Sequence, residues 1–486
     1  MIYLYQHGAF ADILATKDYI PPKGVSTLPV YFGRLPVHQL EDYSGAVNKA
    51  VLVQSYQDAV AKVGYNDADW VNYDLCEAIY AHFRNDIQVI GPIIIVNVLD
   101  PDIHVLADQT ASVALTNSKG YISNNKVIVK SIAIAGKVKG TDFTASYIPD
   151  GSKVLITDLT GAIVSPVTVT FDEVDPSLAD AASVIGGTDV NGVKTGISVV
   201  DLVYLTHNMI PTLFNSPGWS FDPDVDAALK VAAQKINGHW YAFVNSDMDS
   251  TATTNTITKA QAWKDTNGYD SHLEAPCWPM AQNGTRKFHL STLATVTMQW
   301  VDYQNDNVPC ETPSNKPVDV TGMCLADGTS IVFDQMQANV LNSKGIRTLS
   351  YWGGRWVLWG GHTGEYAYGK DMDKANVFDC GVRMLQYIAN TFQSRYGIIV
   401  DKPINRSKVE TILNDYQEWF DTLIGQGKIL LGKIAFNEIS NPTSDIVEGD
   451  FVFDVATTTT PPGKSLTAKI TYTTAGLSVL FGGESA

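Results

Sequence analysis

Charge is scarce in this sequence. Only 17% of its 486 residues are Asp, Glu, Lys or Arg, against 45% apolar. That balance supplies sizeable cores and excludes a disordered chain. Long apolar runs are also missing. The longest, Val89 to Leu99, is broken by Gly91, Pro92 and Asn97, well short of the roughly 18 residues of a membrane span. Cysteine is sparse: Cys76, Cys277, Cys310, Cys324 and Cys380 are odd in number, and none forms a C-x-x-C pair. Packed, reduced thiols are expected rather than a disulfide framework or a zinc site. The first ten residues lack a basic head followed by an apolar stretch, so no export signal is expected and assembly in a cytoplasm is. Basic residues are the scarcer sign, 34 against 51 acidic, for a net charge of −17. This disfavours nucleic acid and anionic membranes as partners. The deficit is uneven. Residues 381–486 hold 9 basic and 11 acidic side chains, so nearly all the excess negative charge lies upstream.

Catalytic signatures are missing as well. Gly364 to Lys370 has G-x-x-x-x-G-K spacing after an apolar run, but Asp371 stands where a magnesium-binding Ser or Thr belongs. Asp222, Asp224 and Asp226 begin like a calcium loop, yet Ala227 and Ala233 occupy its glycine and glutamate positions. They read better as the acidic start of a helix. Asp247 and Asp249 read as a solvated turn. No two of the nine histidines form H-E-x-x-H, and Gly218 to Asp222 fails as a nucleophile elbow. No enzyme, cofactor or metal site is expected. Two readings from other classes remain: a carbohydrate-binding surface protein using its ten tryptophans, and, more remotely, a P-loop enzyme using Lys370.

Along the chain, residues 1–35 read as an N-terminal arm and first strand. Ile2, Tyr3, Leu4 and Tyr5 suit a short strand, and Pro21-Pro22 interrupts any regular element between them and the strand at 27–33. Residues 36–100 read as α/β. A strand at 49–53, a helix at 69–83 with Val71, Leu75, Ile79 and Phe83 spaced by four, and a strand at 93–98 predict a parallel crossover. Residues 101–185 turn Thr-, Val- and Ser-rich with frequent turn signals, which predicts a small all-β insertion. The α/β pattern resumes over 186–375. Residues 376–456 predict two amphipathic helices, at 376–396 and 407–424, then strands at 429–437 and 449–455. Residues 457–486 read as a linker and C-terminal arm. Within it, Leu466, Ala468, Ile470 and Tyr472 alternate strictly with polar residues. A lone strand is unstable in water. It must fold back on its own molecule or join a neighbour's sheet.

The ordered series of segments resembles the contractile tail sheath proteins of myophage tails and R-type bacteriocins. Leu341 to Ile346 (LNSKGI) is similar to the family's "LN..GI" element. Trp359 to Thr363 (WGGHT) is similar to its "W-G-x-R-T" element, with Gly361-His362 departing from the usual Ala-Arg. Arg383 and the residues to Phe392, Gly425 to Gly427, Asn441-Pro442, Pro313 to Asn315 and Ser216 to Gly218 also fall at family positions.

The resemblance implies a multidomain α+β and α/β fold. Its sheath core would be assembled from N- and C-terminal segments, with an α/β middle domain and the all-β insertion projecting outward. It further implies stacked hexameric rings around a tail tube protein, with baseplate and tail terminator proteins at the ends. Neither nucleic acid nor membrane insertion is implied. Such a particle is a virion tail or a bacteriocin, assembled in the host bacterial cytoplasm. The implied hooks between subunits are Ile2, Tyr3, Leu4 and Tyr5 at one end and Leu466, Ala468, Ile470 and Tyr472 at the other. Arg406 and Lys408 are candidates for facing the tube.

Overall fold

A computed structural model describes residues 26–481. Its centre is a six-stranded sheet built from Pro29–Gly33, Val51–Val53, Ile93–Asn97, Leu213–Asn215, Phe243–Asp247 and Glu274–Cys277. The first strand is interior, flanked by the third and fourth, and Glu274–Cys277 and Val51–Val53 form the two edges. Val30 faces both Ile94 and Phe214, and Phe214 faces Val244, all in parallel register. These strands are buried along nearly all their length because helices cover both sheet faces, and the polar side chains they carry, such as Asn215, Asn245 and Asp247, are buried with them. One face packs on Pro223–Gln234, Asp379–Tyr396 and Arg406–Gly425, and the other on Leu75–Phe83 and Leu290–Gln304.

The predicted parallel crossover is wrong in one respect. Val51–Val53 runs antiparallel to Ile93–Asn97. Two helices, Tyr56–Val63 and Leu75–Phe83, lie between them, so the chain reverses once more before re-entering the sheet. The helix predicted from residue 69 begins only at Leu75, and Val71 is exposed. Asn66 and Asp69 take up nearby backbone N–H groups instead, at 3.0–3.2 Å. Such side chains compete with helix formation.

Residues 105–174 form two three-stranded antiparallel sheets. They close over a core of their own that includes Val113, Ile122, Phe143, Val154, Val169 and Phe171. The Thr- and Val-rich alternation accounts for this, since each strand has one dry face. Further on, Thr348–Trp352 and Arg355–Trp359 form a hairpin. It turns at Gly353 and Gly354, whose φ angles of 61° and 80° suit glycine. Residues 364–370 come after this hairpin rather than a sheet strand, and a single 3₁₀ turn, Lys374–Asn376, succeeds them. The helix N-terminus of a P-loop is therefore missing there. Trp240, Trp278 and Trp419 are buried in cores, where they serve packing rather than sugar stacking. Among the described residues no helix is long and apolar enough to cross a membrane, and no His, Cys, Asp or Glu cluster suits a metal ion.

Candidate assembly surface

The C-terminal helices set the stage. Asn405 caps Arg406–Gly425 by accepting from Lys408 N at 2.9 Å, so the helix starts one residue before the predicted 407. Of the stripe that the spacing predicts, Ile412, Tyr416, Phe420 and Leu423 are buried while Val409 and Leu413 are half-buried, and Trp419 is buried beside them. On Asp379–Tyr396 the buried face is more polar than expected, because Arg383, Gln386 and Asn390 lie inward. Gln386 and Asn390 donate to the carbonyls of Ala242 and Tyr241, both at 2.8 Å. Arg383 pairs with Asp302, which also accepts from Thr27 Oγ1 at 2.6 Å.

A second buried pair joins Arg347 to Asp379. Arg347 also donates to Asn245 Oδ1 at 2.9 Å and to the Gly360 carbonyl at 3.1 Å. Burial pushes the carboxyls of Asp302 and Asp379 up, while the facing guanidiniums oppose the rise. Two buried ion pairs thus bolt Asp379–Tyr396 to Leu290–Gln304 and to Arg347, which in turn reaches Asn245 of the central sheet. Sequence reading found Arg383 only through a motif and missed its partner, which lies 81 residues away.

Beyond the second helix, Ile429–Ala435 and Asp454–Thr459 form an antiparallel ribbon. The second strand starts later than predicted and takes in Thr457 to Thr459, which the sequence pattern assigns to the linker. Those threonines are β-branched and have a partner strand to pair with. Thr457 Oγ1 also donates to the Leu431 carbonyl at 2.9 Å. Gly432 lies flat on Phe420, where an added Cβ would come within 2.5 Å of the ring. Among the described residues no third strand joins the ribbon. Its two edges differ. Along Ile429–Ala435, Gln417 donates to the Gly432 carbonyl at 3.0 Å and accepts from Ile434 N at 3.4 Å. A side-chain amide therefore stands where a neighbouring strand would bond. The outer edge of Asp454–Thr459 has no such cover among the described residues.

The C-terminal arm leaves from the Thr459 end of this ribbon. Thr460 Oγ1 donates to the Gly427 carbonyl at 2.9 Å. Lys464 sits over the Tyr366 ring at 5.5 Å, and Tyr366 stacks on His362 at 3.5 Å. Burial drives His362 down to about 4, the Lys464 charge adding to the effect, so this root is uncharged at the imidazole near neutrality. Past it the chain is extended. Leu466, Ile470 and Tyr472 are 92%, 92% and 81% exposed. Residues 465–473 form no strand in the single chain, contrary to the simplest reading of their alternation. The pattern is there but the partner is not.

Of the other expected positions, Arg406 is exposed and pairs with Glu410 at 2.8 Å across one helical turn, with Lys408 beside it. Ile2, Tyr3, Leu4 and Tyr5 lie outside the described residues.

A two-stranded ribbon with one uncovered edge and an exposed, alternating arm thus lie on one chain. No family model matches the chain. It is 25% identical over 461 residues to the tail sheath protein of Burkholderia phage BcepMu, covering 90% of this chain and 92% of that one. Its fold is similar to a chain of the anti-feeding prophage baseplate, with a TM-score of 0.57, 14% identity, and 96% of this chain and 100% of that one covered. It is also similar to the sheath of an extracellular contractile injection system in the contracted state, with a TM-score of 0.56, 10% identity, and 98% and 100% covered. By sequence and by fold, the chain is similar to contractile tail sheath proteins.

Proposed function

We propose that the chain polymerises as stacked hexameric rings around an inner tail tube and contracts to drive that tube through a target cell envelope. The observation that carries this reading is the exposed arm at 465–473 beside a ribbon with one uncovered strand edge. A subunit that offers a strand at one place and needs one at another forms a head-to-tail contact, and such contacts generate helical polymers where the rotation does not close into a ring. Leu466, Ala468, Ile470 and Tyr472 would add to a neighbour's Asp454–Thr459 edge, with main-chain bonds supplying affinity and alternate side chains supplying register. Ile2 to Tyr5 would supply a further strand from another copy.

In this reading the core near the tube comes from residues 1–35 and 376–456. Residues 36–100 and 186–375 form the middle domain, 101–185 project outward, and 457–486 serve as linker and arm. Arg406 and Lys408 face the tube protein. Baseplate and tail terminator proteins bound the cylinder, which assembles in the host cytoplasm. Energy is stored at assembly, and contraction is rigid-body rotation of subunits into a lower-energy lattice. The reading needs no catalytic residue or cofactor.

Electron microscopy of the purified chain, alone and with a candidate tube protein, tests the proposal. Tubular polymers are expected from the full chain, and monomers at equal concentration from a chain ending at Gly463. A full chain that never polymerises, or a shortened one that builds the same tube, overturns it.

A further inference from the structure

Past the alternating segment comes a 3₁₀ turn, Ala475–Phe481. The turn carries no charge, and its Leu477, Val479 and Leu480 are 50%, 55% and 77% exposed. Three apolar side chains held in water at the end of an extended arm need cover. A groove opens where Asp379–Tyr396 ends and the second ribbon strand begins, with Asp401, Lys402, Glu448 and Asp450 at its margin beside an apolar wall. Phe392, Tyr396, Ile398, Val400, Phe451 and Phe453 line it. Its aromatic wall is continuous, with Phe392 at 4.9 Å from Tyr396 and 5.9 Å from Phe453. Trp240 also lines the groove, and its buried Nε1–H has no acceptor among the described residues.

The ribbon aims one feature at the other. Residues 448–453, along the groove, run directly into the edge strand Asp454–Thr459. An arm added antiparallel to that edge, with Leu466 opposite Thr459, sets Ala468 opposite Thr457 and Tyr472 opposite Phe453. Continued in step, Leu477 arrives level with Glu448. The molecule's own tail does not make this journey: its Leu466, Ile470 and Tyr472 stay exposed.

We propose that the apolar turn Ala475–Phe481 of one copy plugs the Phe392–Phe453 groove of the next, locking the added strand at its far end. The inference rests on the strand addition proposed above but goes beyond it, since strand pairing alone leaves the groove open.

Cysteine cross-linking in assembled material, on a Cys310→Ser background, separates the two ideas. One variant carries Ala468→Cys with Thr457→Cys to report strand addition, and another carries Leu480→Cys with Ile398→Cys to report the plug. Ladders of covalent oligomers from both variants are expected. Leu480→Asp should raise the concentration needed for polymerisation roughly tenfold or more while the strand pair still cross-links. A strand ladder without a plug ladder overturns the plug and leaves strand addition standing, as does a plug link confined to single chains. Absence of both ladders, with the protein monomeric, overturns strand addition and the plug with it.

Discussion

The double substitution Leu466→Ser with Ile470→Ser separates assembly from folding more sharply than any truncation. Both side chains are 92% exposed in the single chain. Their removal therefore costs the folded monomer almost nothing, and its unfolding temperature should stay within about a degree of the parent's. In the polymer the same side chains lie on one face of an added strand. Full burial of a Leu or Ile is worth about 1.5–3 kcal/mol, so each junction loses about 3–6 kcal/mol. At about 1.4 kcal/mol per decade, the association constant falls roughly 10²- to 10⁴-fold. Light scattering against protein concentration, with calorimetry on the monomer, reads both quantities. An unchanged polymerisation threshold would refute the reasoning. So would a monomer destabilised by several kcal/mol, because the arm would then be packed on its own body.

The interior supplies three further tests. Arg383→Met strands the buried Asp302 carboxylate and should cost about 3–5 kcal/mol in urea unfolding, while adding Asp302→Leu recovers much of the loss. Gly432→Ala drives a methyl into Phe420 and should cost about 1–3 kcal/mol by overpacking, measured by the same method. The third concerns His289. Burial alone would lower its pKa, but Glu77 at 2.8 Å and nearby Asp247 outweigh that and hold it at about 9, against an ordinary 6.5. Folding therefore gains from its protonation, fully below pH 6.5, and loses that gain as pH climbs through about 9. Thermal stability should fall between pH 7 and 10, and His289→Gln should flatten that slope.

Elements set by local pattern were legible in the sequence. The stripe Ile412, Tyr416, Phe420 and Leu423 required a helix against a core, and the alternation over 101–185 required paired sheets. The arm was legible as a strand in want of a sheet, although the single chain provides no sheet for it. What escaped depended on distant residues. The direction of Val51–Val53 turns on the number of helices between it and Ile93–Asn97, and the inward face of Asp379–Tyr396 is polar because carbonyls of Tyr241 and Ala242 wait there. The start of the last ribbon strand shifted because Thr457 to Thr459 had a partner that composition alone does not reveal. The groove at Phe392 and Phe453 left no sequence signature, since its lining comes from segments separated by more than fifty residues.

Gln417 has an effect out of proportion to its two hydrogen bonds. By occupying one margin of the ribbon with its own amide, it leaves a single side on which recruits can be received. A building block with one socket side and one plug has a built-in arrow: chains of such blocks grow without branching, and every copy points the same way. In a machine that must shorten along one axis, that polarity would already be written into the monomer by a glutamine lying across a strand.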